Sequence, residues 1–126
     1  MKYIKTIKDL FEKASEREDG TANINGRISY YGGGQGELES RYRITFTQNH
    51  VSLDHWGTEI IAINTVTEQV SNWYGESNSD RDAINMLLYL LSMDDKYSAI
   101  YRPSSVGFKV ARLEPTSVGL ISKPIK

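Results

Sequence analysis

A chain of 126 residues, 39% apolar and 25% charged with a net charge of -1, has the size and balance of one globular domain. It has no cysteine, which excludes disulfide scaffolds, thiol nucleophiles and Cys-ligated zinc. The longest apolar run, Met86 to Leu91, is far shorter than the roughly 20 residues that span a bilayer, and Met1–Lys5 leads into charged amphipathic sequence, not the apolar core of a secretion signal. The expectation is a single cytoplasmic domain over 1–126.

Ile4, Ile7, Leu10, Phe11 and Ala14 recur at helical spacing among Lys5, Lys8, Asp9, Glu12 and Lys13, which predicts an amphipathic helix over 3–17. Ala22, Ile24, Ile28 and Tyr30 then share one parity against Asn23, Asn25, Arg27 and Ser29. That predicts a strand near 22–31, with Asn25-Gly26 an alternative hairpin turn. Gly32-Gly33-Gly34-Gln35-Gly36 breaks regular structure. The clearest alternation follows: Tyr42, Ile44 and Phe46 read as core, and Arg41, Arg43, Thr45 and Thr47 as a basic, polar outer face. Val51 and Leu53 begin a further strand, which Asp54-His55-Trp56-Gly57 interrupts. Thr58–Ile63 and Val66–Tyr74 form a hairpin across Asn64-Thr65.

Ser79 followed by Asp82 has the pattern of a helix N-cap with acids in the first turn. The following run, from Ala83 to Met93, is apolar almost all round and reads as a central core helix covered on both sides. Tyr97–Arg102 and Val106–Leu113 make a last hairpin, and the tail after about residue 115 is expected to be loose. Strands joined by short turns pair antiparallel, so the fold class is α+β, two helices packed on a mainly antiparallel meandering sheet.

The glycine cluster lacks the Gly-Lys-[Ser/Thr] end of a Walker loop, and Glu37 stands where a dinucleotide fingerprint has its third glycine. His50 and His55 sit five apart with no third ligand at motif spacing, so no metal site and no cofactor is expected. No nucleophile elbow is present, and an enzyme is not expected. Charge is segregated along the chain. Between residues 54 and 95 one base, Arg81, faces Asp54, Glu59, Glu68, Glu76, Asp80, Asp82, Asp94 and Asp95. Carboxylates so placed attract basic grooves that ordinarily hold nucleic acid.

Tyr30-Tyr31-Gly32-Gly33-Gly34-Gln35-Gly36-Glu37-Leu38, followed by Tyr74-Gly75-Glu76-Ser77-Asn78-Ser79-Asp80-Arg81-Asp82-Ala83-Ile84-Asn85, resembles small uncharacterised proteins of phages and plasmids of Gram-positive bacteria. The resemblance spans residues 22–92 and implies a mobile-element context, in which small proteins inhibit host defences, anti-CRISPR proteins among them. The functional expectation is therefore a non-catalytic inhibitor of a host defence nuclease. Its partner would be a protein with a basic nucleic-acid channel, such as an RNA-guided nuclease. The candidate contact residues are Glu59, Glu68, Glu76, Asp80, Asp82, Asp94 and Asp95 as an acidic face, with Tyr31, His55 and Trp56 as aromatic anchors. Two alternatives stand beside it. One is a single-stranded nucleic-acid-binding protein using Tyr30, Tyr31, Arg41 and Arg43, which a pI near 6.1 disfavours. The other is a small nuclease using His50 or His55.

Overall fold

A computed structural model describes residues 2–29, 35–74, 78–101, 108–116 and 119–124. Helix α1 (Lys2–Glu16) leads into a five-stranded antiparallel meander of β1 (Thr21–Ser29), β2 (Gln35–Phe46), β3 (His50–His55), β4 (Thr58–Asn64) and β5 (Gln69–Trp73). Helix α2 (Asn78–Leu90) follows. A second antiparallel sheet of β6 (Tyr97–Tyr101), β7 (Phe108–Thr116) and β8 (Gly119–Pro124) completes the chain. The large sheet stays open, so the fold is α+β.

The alternation in β2 sets the register of the large sheet. Tyr42 and Ile44 are fully buried, Phe46 is half-buried, and Arg43 is exposed. Across the ladder, Ile44 pairs with Leu53 and Phe46 with Val51, so one face is continuously apolar. Helix α1 lies on β1 and β2 through Ile7, Leu10 and Ala14, and Phe11 meets Phe46 edge-on at 5.3 Å. Gly20 closes the α1–β1 connection at φ 70°. A side chain there would strike the Phe46 carbonyl oxygen 2.5 Å from the Cβ position, so glycine is required.

Several sequence expectations are corrected by this arrangement. β1 runs straight through Asn25-Gly26, and a register shift after Ile24 absorbs the irregularity where a hairpin turn was possible. α2 starts at Asn78, which puts Ser79 inside its first turn, not ahead of it. The helix is also one-sided: Ala83, Ile84, Leu87 and Leu88 are fully buried, while Tyr89 is 62% exposed. Composition alone hides this, because Met86, Leu90 and Leu91 only half-bury at the edges of the stripe. The tail expected to be loose contains β8, paired with β7 from Ala111↔Pro124 to Thr116↔Gly119. The glycine cluster from 32 to 34 lies outside the described residues.

α2 packs on β3, β4, α1 and β6. Tyr97, Ala99 and Val110 of the second sheet thereby join the same buried cluster as Ile61, Ile63 and Leu87. Full burial of each large aliphatic side chain in that cluster contributes about 1.5–3 kcal/mol. The helix ends in two backbone hydrogen bonds, Ser92 N–H to the Tyr89 carbonyl and Met93 N–H to the Leu88 carbonyl, with Ser92 at φ 58°. The junction with β6 is polar. The Asn85 amide donates to the Ala99 carbonyl at 3.0 Å, and its oxygen accepts from the Ala99 N–H at 2.7 Å. Asn85→Ala leaves both backbone groups without that partner in a part-buried site. It should lower unfolding free energy in urea by about 2–3 kcal/mol, and a loss below about 0.5 kcal/mol would mean water replaces the amide without cost.

Candidate functional site

The chemistry gathers where the β3–β4 hairpin meets the start of α2. His55 ends β3 and pairs with Thr58 across a two-residue turn, Trp56-Gly57. Both turn residues have positive φ, 52° and 81°, as a tight hairpin connection of this kind demands. Glycine adopts such a backbone freely, but a tryptophan is strained there, and strain of this kind costs on the order of 1–3 kcal/mol. The turn therefore holds a bulky ring at a position suited to Asn, Asp or Gly.

β4 carries a second irregularity. Leu53 pairs with Ile61 but Asp54 pairs with Glu59, so Ile60 is an extra residue in its strand. The bulge rotates the local backbone, and Ile60 and Ile61 are both buried although they are consecutive. Ile60 thus joins His55, Trp56, Thr58, Tyr74, Ser79 and Asp80 around an open pocket of about 490 Å³. Tyr74 is anchored there by its N–H to the Ile60 carbonyl at 2.9 Å.

At the pocket wall the His55 Nδ1 lies 2.6 Å from Asp80 Oδ1, with both side chains 13% exposed. An ionised carboxylate only accepts, so Nδ1 carries the proton and Nε2 is left as an acceptor in the neutral ring. The imidazole lies flat on the buried Tyr42 ring, 4.4 Å between centroids and 5° from parallel, with the Trp56 ring 5.9 Å away on the adjoining residue. Tyr42 and His55 are direct cross-strand partners, so the platform follows from the register of β2 and β3. Asp80 is in the first turn of α2, where the helix dipole favours a carboxylate.

The residues singled out from the sequence separate into distinct places. Glu59 is exposed at the start of β4 and accepts from the Asn72 amide at 3.0 Å. Glu68 lies in the β4–β5 connection at φ 55° and accepts from Lys96 Nζ. That partnership raises the Lys96 pKa, the hydrogen bond that Lys96 donates to Glu68 being the largest cause. Asp82 pairs with its neighbour Arg81 at 3.2 Å. Asp94 and Asp95 are exposed beyond the far end of α2, whose last residue, Leu90, is about 15 Å along the helix axis from Asp80. Glu76 and Tyr31 lie outside the described residues, as does Tyr30. Among the described residues the acidic set thus falls at two ends: Asp80 bonds His55 in the pocket, and Glu59, the cross-strand partner of Asp54, lies near the same hairpin on the other face of the sheet.

His50 opens β3 and His55 closes it, which separates them by about 17 Å and keeps them from acting as a pair. Among the described residues no cluster of three or more His, Cys, Asp or Glu side chains is placed to hold a metal ion. Asp54, the chain neighbour of His55, faces the opposite side of β3, between Arg43 and Glu59. The true partner, Asp80, is 25 residues away, and the only sequence signal for it was an acid at a helix start. Comparison with protein families, curated proteins and solved structures finds no match.

Asp54 has a pKa above its ordinary value, chiefly through burial, next through the Glu59 carboxylate opposite, with Arg43 opposing. The folded state therefore holds this proton more tightly than the unfolded chain. The stabilisation is complete below about pH 4 and is lost as pH rises through the raised pKa. Asp54→Asn should raise the thermal midpoint at pH 7, with the gap to wild type closing as pH falls toward 4; a gap independent of pH would refute the assignment. Trp56→Asn should shift unfolding free energy by no more than about 1 kcal/mol, because relief of turn strain offsets the lost ring contacts. A structural tryptophan would cost about 3–5 kcal/mol in the same denaturation experiment.

Proposed function

We propose that this chain is a non-catalytic binding protein that inhibits a host defence nuclease. In this reading it docks on a basic, nucleic-acid-handling protein through the hairpin end that carries Trp56. The observation that carries the reading is Trp56 itself, a large aromatic held in a strained turn beside an open pocket. Strain persists where something other than stability favours it, and tryptophan is among the residues that dominate protein contacts. Asp80 in the pocket and the exposed Glu59 on the other face of the same hairpin end give that end a negative character that complements a basic channel. The acids at Asp94 and Asp95 act at longer range, by steering.

The competing readings have weaker support. The outer face of the sheet carries Arg43, but Asp54 and Glu59 lie in the same cross-strand row, which offsets its attraction for phosphates. The Asp80–His55 geometry could orient an imidazole as a general base. Yet among the described residues no lysine or arginine lines the pocket to stabilise an anionic transition state.

The test is affinity capture from a lysate of a Gram-positive bacterium, with and without nuclease treatment. The expected result is a protein partner retained after treatment, bound more slowly by Glu59→Lys and released faster by Trp56→Asn. Salt should slow association of the unmodified protein as well, since exposed charges are screened beyond about 8 Å at physiological ionic strength. Loss of every partner on nuclease treatment would make the chain a nucleic-acid binder instead.

A further inference from the structure

We infer that the pocket between the β3–β4 hairpin and α2 is a socket for a guanidinium group, presented as an arginine side chain by the partner. The inference rests on the binding reading above and specifies its chemistry. The polar lining is rich in acceptors: the Asp80 carboxylate, the His55 ring with its proton directed to Asp80, and the Thr58 and Ser79 hydroxyls. Trp56 and Tyr74 supply aromatic surface, and Tyr74 is 54% exposed. A ligand that suits this lining is planar, cationic and donor-only, able to stack on a ring while donating to a carboxylate. Guanidinium has all of those properties, whereas an ammonium lacks the flat face.

Charge decides against the other planar candidate, a nucleotide. Among the described lining residues there is a carboxylate and no lysine or arginine, so a phosphate brought in with a nucleobase meets repulsion from Asp80 with no permanent positive side chain to offset it. The start of α2 contributes roughly half a positive charge, which the full charge of Asp80 in its first turn outweighs. The volume of about 490 Å³ falls within the range of roughly 300–1,000 Å³ typical of small-ligand pockets and leaves room for one long side chain with water around it. The hold on Asp80 also matters. His55 fixes the carboxylate against the sheet before any ligand arrives, so little ordering remains to be done on binding.

The probe is N-acetyl-arginine amide, titrated into the full chain while the indole N–H resonance of Trp56 is followed by NMR. The chain has two tryptophans, and the Trp56→Asn spectrum identifies which signal is which. The expected result is a saturable shift, about fivefold weaker with N-acetyl-lysine amide, and weakened about tenfold in both Tyr74→Ala and Asp80→Asn. Tyr74 is exposed and Asn retains a hydrogen-bond acceptor for His55, so the two variants report on binding with the fold retained. Absence of a saturable shift overturns the proposal, as do equal affinities for the two amides. A shift with guanosine monophosphate in place of the arginine probe overturns it in favour of a nucleobase site. Capture of a protein partner by Tyr74→Ala at wild-type level, with no arginine binding, would sink the socket and leave the proposed function standing. Arginine binding with no protein captured from the lysate would support the socket and sink that function.

Discussion

Helix α2 has to satisfy both sheets at once, and the rest of the molecule is arranged around that requirement. Its fully buried stripe of Ala83, Ile84, Leu87 and Leu88 is covered jointly by α1, by β3 and β4, and by β6. Apolar contact is non-directional and would tolerate some rotation or sliding of the helix. Two polar contacts remove that freedom. Asp80 ties the first turn to His55 on the large sheet, and Asn85, a little over one turn later, ties the helix to Ala99 on the small one. Hydrogen bonds are demanding in distance and angle, so together they set the helix in one register. The pocket exists because this register brings the start of α2 up against the hairpin that bears Trp56.

The parts of this arrangement that were legible in the sequence are those governed by local period. The alternation of Tyr42, Ile44 and Phe46 gave the core face of β2 directly, and Ile7, Leu10 and Ala14 gave the buried stripe of α1. What stayed hidden depends on contacts between distant residues or on backbone geometry that residue type opposes. Nothing in Asp80 marks it as the partner of His55 rather than a simple helix-start acid. Trp56-Gly57 read as a break in a strand because tryptophan is a poor residue for a positive-φ turn. The Ile60 bulge was invisible for the opposite reason: Ile60, Ile61 and Ile63 fit any strand register. The strand from Gly119 to Pro124 was missed because its residues alternate weakly, and β7 supplies the pairing that propensity does not.

The candidate site therefore coincides with the places where local rules and observed structure disagree. A strained turn, a bulge and a pair of titratable side chains with little exposure meet within one hairpin end. Each alone has an ordinary explanation, but sequences that fold well are consistent across levels, and departures concentrate where another requirement competes with stability. Asp54 belongs to the same pattern. Its carboxylate is held above its ordinary pKa by burial first and by Glu59 opposite it second, at the expense of the folded state, and both acids stand near the hairpin that bears Trp56.

The amide of Asn85 has a further consequence for how molecules of this protein meet one another. β6 is an outer strand of its sheet, and the outward N–H and C=O of an outer strand offer a template on which another chain can add a strand. At Ala99, in the middle of β6, Asn85 occupies both groups, and the body of α2 lies against that strand. A side chain that imitates a neighbouring strand for the length of one residue thus blocks strand addition at this edge of the sheet. The same two hydrogen bonds that fix the helix also keep a second copy from adding to the sheet through β6.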